Sequence, residues 1–269
     1  MSVSIEGMQV GRNRTEDVPD LSALSFPQNE IMTAVEQAVL RNGGARVTAS
    51  LAEQIAAKLA WLITMGRVGT GQRLVEQDVS ATLGVSRAPV REALRILERD
   101  RLVEFRSRKG AMVNALSKRD LEDVFAVRRL LYGTFLREAM TTQWGDVKNV
   151  LDDHIPRILR DANDSVEQYV ADTFLMNCAL FEISQNRILA ELLQSVSLQT
   201  MRYVRVGLAS HPSEMPKYVE SWTTLQAAVD AKEVDRAVEI AERRIDRIRE
   251  AALDALDSGG GVEGDAGAG

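Results

Sequence analysis

The stretch Leu83-Gly84-Val85-Ser86-Arg87-Ala88-Pro89-Val90-Arg91-Glu92-Ala93-Leu94, continued by Arg95-Ile96-Leu97-Glu98, decides the fold. Gly84 supplies a tight or left-handed turn. Ser86 is a good N-cap, and Pro89 falls in the first helical turn, where a missing N–H costs nothing. The helix that follows, over about 87–100, has two faces. Val90, Leu94 and Leu97 recur four and three apart and point inward. Arg87, Arg91 and Arg95 recur four apart and form one ridge. Arginines on successive turns repel one another unless an anion answers them, and Glu92 and Glu98 give only partial relief. A groove lined by phosphates supplies that anion, and an arginine can also hold guanine O6 and N7 with two hydrogen bonds.

Upstream, Leu51, Ile55, Leu59 and Leu62 share one face of a helix over 51–65, closed by Gly66 and followed by the loop Gly69-Thr70-Gly71. A second, short helix over 74–83 turns Leu74, Val79 and Leu83 inward. Downstream, Leu102-Val103-Glu104-Phe105 and Ala111-Met112-Val113 flank the basic, glycine-ended turn Arg106-Ser107-Arg108-Lys109-Gly110. Two short alternating stretches around such a turn predict a two-stranded wing, whose basic tip suits phosphate or the minor groove. Helix, short helix, turn, basic helix and wing, in that order, define a winged helix-turn-helix over 49–114.

Charge follows the same division. The 269 residues carry a net −6, which taken alone argues against a nucleic-acid partner. Residues 49–114, however, hold eleven Lys and Arg against seven acids, a net +4, and the remainder holds 22 against 32, a net −10. The single cysteine, Cys178, excludes an intrachain disulfide and suits a reducing compartment. His154 and His211, the only histidines, are too few for a histidine-rich zinc site and read as ordinary surface or loop residues. No apolar run approaches the roughly 20 residues of a membrane span, and the first 19 residues lack a signal pattern. A cytoplasmic protein with no membrane partner is expected.

Residues 1–48 form an N-terminal extension, expected to be disordered to about residue 27. A short helix over 28–40 follows, marked by Ile31, Met32, Val35, Val39 and Leu40 and ended at Asn42-Gly43-Gly44. From Ser117 the helical period dominates to residue 257, and the glycine-rich 258–269 reads as a flexible tail. Ser117 caps a helix to about 142, with Leu121, Val124, Phe125, Arg128, Leu131 and Phe135 on its broad stripe. Further helices are expected at 145–161, 165–185, 187–208, 214–231 and 233–256, the first bent or interrupted by Pro156. The fold class is therefore mainly α: a winged helix-turn-helix, then an all-α bundle.

The runs Gly71-Gln72-Arg73-Leu74-Val75-Glu76 and Leu83 to Leu94, with Leu97-Glu98 and Gly110, resemble the GntR family of bacterial transcription regulators. Leu121-Glu122-Asp123-Val124-Phe125-Ala126-Val127-Arg128-Arg129 and Ile183-Ser184-Gln185-Asn186 are similar to the FCD effector domain of its FadR branch. The resemblance implies a homodimeric repressor on operator DNA, released by a small-molecule effector. It implies base contacts from Arg87 and Arg91 and close backbone approach at Gly110. Arg73, Ser86, Pro89, Arg95 and Lys109 complete the expected DNA contacts, with Ser86, Arg95 and Lys109 on phosphates. A base-contacting arginine of some members falls at Gln77.

Most FCD domains hold a divalent metal with an aspartate and three histidines. The corresponding positions here are Thr173, Asn177, Trp222 and Arg244, a poor ligand set. The expectation is a metal-free pocket without cofactor, as in relatives that bind fatty acyl thioesters. Phe174, Met176, Cys178, Phe181, Met201, Tyr203 and Trp222 flank it and suit an apolar chain. Arg128, Arg202 and Arg244 offer guanidinium groups to a carboxylate or phosphate. Arg128, Asn177, Phe181, Arg202, Trp222 and Arg244 are the expected effector contacts, for a fatty acid or acyl-CoA. The alternative is an inert, purely dimerising C-terminal half filled by Trp222. With no HExxH, phosphate loop, GxSxG or Cys–His arrangement, no catalytic residues are expected and the chain reads as no enzyme.

Overall fold

The computed structural model describes Leu21 and residues 30–40, 49–162 and 165–258. The expected N-terminal disorder, the stop at Asn42-Gly43-Gly44 and the tail beyond Ser258 fall outside the described residues. Helix α1 is Glu30–Leu40, and α2, Leu51–Thr64, opens on a capping box. There the Ser50 hydroxyl accepts from the Glu53 N–H, and the Glu53 carboxylate accepts from the Ser50 N–H at 2.7 Å.

Helices α3, Glu76–Leu83, and α4, Arg87–Arg99, enclose the turn at Gly84, whose φ of 64° is the left-handed value that glycine adopts without strain. Ser86 holds the extended N-cap backbone of α4, but its hydroxyl makes no capping bond. Val90, Ala93, Leu94 and Leu97 are fully buried against α2. At about 2 kcal/mol for each large side chain, this burial fixes the roll of α4 and turns the arginine ridge to solvent.

Strands β1 (Arg73–Leu74), β2 (Val103–Arg106) and β3 (Gly110–Val113) form an antiparallel sheet in the order β1-β3-β2. The wing hairpin is present, and a third strand joins it. Leu74, expected to start a helix, instead pairs opposite Ala111 in β1 and is still buried, so α3 begins two residues later. The inward hydrophobic signal at Leu74 was correct, but the pairing partner lies 37 positions away and gives no local trace.

The bundle comprises α5 (Lys118–Thr142), α6 (Trp144–Asp161), α7 (Val166–Glu182), α8 (Arg187–Ser210), α9 (Met215–Asp230) and α10 (Val234–Asp257). A single 3₁₀ turn at Pro212–Glu214 precedes α9. Helix α6 runs through Pro156 without interruption, so of the two expected outcomes, a bend and a break, a break is excluded. Pro156 and Asp152 both face solvent, where the carbonyl that proline leaves without a donor is open to water. Helix α8 is central, packing on α5, α7 and α10. Its Gly207 meets the α10 backbone so closely that an added Cβ would lie 2.8 Å from the Ala252 nitrogen. Helix α1 bridges the two halves, touching α2 on one side and α7 and α8 on the other.

Candidate nucleic-acid interface and effector cavity

Arg87, Arg91 and Arg95 are exposed along α4, beside the exposed Ser86 and the half-buried Pro89. The ridge is held in register by its neighbours. Arg91 forks onto Glu76 of α3, with Nε and an Nη donating to the two carboxylate oxygens at 2.9 and 2.8 Å. That hydrogen bond, reinforced by Arg87 and Arg95, holds the Glu76 carboxyl below the usual glutamate range. Arg95 pairs with Glu98 at 2.8 Å and lies 4.0 Å over the Phe105 ring of β2, which ties the helix to the wing. The counter-charge for Arg91 thus comes from Glu76, across the turn, and not from Glu92.

Arg87 makes no ion pair among the described residues. It borders a groove of about 230 Å³ together with Arg73, Gln77 and Gly110. The wing turn beside that groove is closed by Lys109 N–H donating to the Arg106 carbonyl at 3.0 Å. Arg108 at its tip has φ of 64°, a left-handed conformation that costs a non-glycine residue about 1–2 kcal/mol and holds the exposed Lys109 and Arg108 at the edge. Arg73, Gln77, Arg87 and Gly110 therefore converge on one basic groove. Arg91, Arg95 and Lys109 stand around it.

In the bundle, Arg128, Asn177, Trp222 and Arg244 line a single cavity of about 60 Å³. Thr173 lines it too, so all four positions that the resemblance links to a metal come together there. They do not fit one. An indole N–H only donates, a guanidinium is itself a cation, and Thr and Asn alone are weak neutral ligands. Arg244 lies 3.2 Å over the Trp222 ring, donates to the Tyr218 carbonyl at 3.1 Å and hydrogen-bonds the Ser221 hydroxyl. Trp222 Nε1 donates to the Tyr169 hydroxyl at 3.0 Å. Arg128 hydrogen-bonds the Thr200 hydroxyl, and burial lowers its pKa to about 10. Burial likewise lowers Arg244 and raises the Tyr132 phenol beside them.

Two expected effector contacts lie elsewhere. Phe181 packs behind the cavity, its ring edge-on to Tyr132 at 5.9 Å and to Phe135 at 5.5 Å. Arg202 faces away, toward the winged half, where it donates to the Thr70 hydroxyl at 3.0 Å and the Asn114 carbonyl at 2.9 Å. The reason is helical geometry. Val204 borders the cavity, and a residue two positions earlier on α8 points about 200° around the helix. Phe174, Met176, Cys178, Met201 and Tyr203 are likewise core and not cavity wall. Missed were Phe125, Tyr132, Tyr169, Leu225 and Ile245, which do line it. Their signal was available: Phe125, Arg128 and Tyr132, and Tyr169, Thr173 and Asn177, recur at helical spacing on either side of residues already singled out.

Two family descriptions match this chain: "Bacterial regulatory proteins, gntR family" over residues 51–113, and "FCD domain" over 123–247. The chain therefore joins a GntR-type DNA-binding region to an FCD domain. It is 32% identical over 133 residues to the gluconate operon transcriptional repressor of Bacillus subtilis (strain 168), covering 49% of this chain and 53% of that one. The chain thus spans about half the length of the Bacillus gluconate repressors it matches. The regulator McbR of Escherichia coli (strain K12) is 25% identical over 197 residues, 68% of this chain and 84% of that one. The solved E. coli McbR/YncC structure has a TM-score of 0.69 at 19% identity, covering 78% of this chain and 100% of that one. A GntR structure from Rhodococcus sp. RHA1 gives 0.64 at 24% identity, over 78% and 99%. Both structures share the fold.

Proposed function

We propose that the protein is a sequence-specific DNA-binding transcription regulator, a repressor acting as a homodimer, whose FCD half carries a metal-free effector cavity in the manner of the FadR branch. The observation that carries the reading is α4. Its apolar face is sunk into the winged half, which leaves Arg87, Arg91 and Arg95 on the outer face beside a groove that Arg73 and Gly110 also border. Arg87 and Arg91 read bases in the major groove. Ser86, Arg95 and Lys109 hold phosphates, and Pro89 shapes the first turn. The relatives named as operon repressors support the same direction of control.

The partner for dimerisation is a second copy. Val127 and Leu130 on α5, and Ile188 and Leu192 on α8, are exposed apolar side chains, and Val127 and Leu192 border one groove. A fatty acid or acyl-CoA is disfavoured as effector, because about 60 Å³ leaves no room for a long chain without parting the helices. Trp222 occupies much of the site, which favours the inert-domain alternative. The half-buried guanidinium groups of Arg128 and Arg244, which make no ion pair among the described residues, weigh against it.

Selection of bound sequences from a random duplex library tests the regulator reading. The expected result is a two-fold-related pair of half-sites, lost with Arg87→Ala. Equal retention of all duplexes would defeat it.

A further inference from the structure

The row of arginines on α4 has a fourth member. Arg87, Arg91 and Arg95 recur four apart, and Arg99 continues the spacing at the last position of the helix. Its guanidinium turns to protein. One Nη donates to the Val39 carbonyl at 2.7 Å and lies 3.3 Å from the buried Asp100 carboxylate. Val39 belongs to the last turn of α1, where backbone carbonyls have no partner within their own helix. Helix α1 has no basic residue in that turn, so the reading helix supplies the cation that its C-terminus favours. The other end of α1 is tied to the bundle, with Glu30 paired to Arg157 of α6 at 3.0 Å. Arg157 in turn binds the buried Asp172 of α7 at 2.6 Å. Between these ends, Met32, Val35, Ala38 and Val39 are at most 1% exposed, wedged between α2 of the winged half and α7 and α8 of the bundle. Helix α1 lies outside both matched family regions, 51–113 and 123–247. It also leaves Arg87, Arg91 and Arg95 exposed. Its position therefore bears on where the reading helix points and not on whether DNA can reach it.

We propose that α1 is a clamp that fixes the winged half on the bundle and so sets the separation between half-sites that the dimer accepts, with Arg99 as its positioning residue. This rests on the dimeric regulator reading above. In a dimer joined through the bundles, the two reading helices are spaced by how each winged half is carried on its own bundle. The covalent link between the halves is the four residues 114–117. Arg202 grips that link and the loop at Thr70, whereas α1 packs against helices of both halves. One extra base pair moves a half-site about 3.4 Å along the duplex and turns it by about 35°. Clamped winged halves therefore accept one separation. Released halves follow the site wherever it lies, and lose the affinity that pre-organisation supplies.

The test uses the full chain and duplexes carrying two copies of the half-site obtained by library selection, at every separation across about one helical turn. Wild type is expected to bind one separation at least about tenfold more tightly than its neighbours. Val35→Asp places a carboxylate at a fully buried position of α1 and leaves α4 intact. It is expected to reduce that preference to about threefold or less, with faster amide exchange along α1 and unchanged affinity for a single half-site. Arg99→Gln keeps the apolar wedge but cuts its tie to α4, and gives a second test if Val35→Asp does not fold. Its salt slope on the single half-site is expected to match wild type, and a shallower slope would place Arg99 on a phosphate and overturn its positioning role. A merely stabilising helix would lower the melting point and leave the separation preference as sharp as in wild type. That result, or loss of single half-site binding by a folded variant, overturns the proposal alone. Wild type that selects no duplex overturns the regulator reading, and wild type that selects only single half-sites overturns the dimer reading; the proposal falls with either.

Discussion

Replacing Gly207 by alanine tests the crossing of α8 over α10, on which the positions of Thr200, Arg202 and Val204 all depend. The added methyl would sit 2.8 Å from the Ala252 nitrogen, with the Ala251 carbonyl carbon and Ala252 Cα both at 3.1 Å. Ordinary contacts begin near 3.4 Å, so the helices must part by several tenths of an ångström. The opposing atoms are all backbone, and no side chain can rotate away. Overpacking of this kind costs about 3 kcal/mol at the upper end of its usual range, while alanine in a helix interior returns about 1 kcal/mol over glycine. The net loss of about 2 kcal/mol corresponds to a melting temperature lower by about 4–8 °C for a chain of this size. Gly145→Ala is the matched control. It lies in α6 with nothing within 4 Å of the new Cβ, so helix propensity acts alone and stability should rise by up to about 1 kcal/mol. Both variants would be followed by circular dichroism at 222 nm. A Gly207→Ala protein melting at or above wild type would show that α8 and α10 do not cross as described.

Arg91→Ala should weaken operator binding about tenfold or more and relax one base preference, whereas Glu76→Gln, which frees Arg91 from its fork, should strengthen non-specific binding and steepen its salt dependence. Fluorescence anisotropy across a salt series reads both, and identical slopes for Glu76→Gln and wild type would contradict the second. Arg202→Met removes two hydrogen bonds but also a charge whose burial lowers its pKa to about 10. These effects oppose each other, so the melting point should move by no more than a few degrees. Amide exchange around Thr70 and Asn114 should nevertheless quicken in that variant; unchanged exchange would mean that Arg202 does not join the halves. Cys178 is buried and its thiol is pushed up by desolvation. It should resist a thiol reagent at pH 8 in the native protein and react fully in denaturant. Dialysis against EDTA should change neither the melting point nor operator binding, and stoichiometric zinc or nickel in the purified chain would overturn the metal-free reading.

Much of the winged half was legible because its signals are local. The two faces of α4, the Ser117 cap that follows and the glycine at the wing are set by residues within a turn or two of one another. Several misreadings share one cause, a partner far away in the sequence. Leu74 lies in a strand because Ala111 pairs with it, and Arg91 is neutralised by a glutamate 15 positions back. Helical period predicted a buried face for α7 but could not say that Thr173 and Asn177 meet a cavity while Phe181 meets Tyr132.

The sequence by itself determined that a helix with a basic ridge sits in a block of charge +4, and that the four positions linked to a metal carry residues that are poor metal ligands. Both follow from residue chemistry and a 3.6-residue repeat. Only the tertiary structure decided that Thr173, Asn177, Trp222 and Arg244 converge with Arg128, and that Arg202 serves the junction between the halves. The direction a helical side chain faces is local, but what it faces depends on how α5, α7, α8, α9 and α10 cross. Those crossings are fixed by close contacts such as Gly207 on Ala252, between residues far apart in the chain.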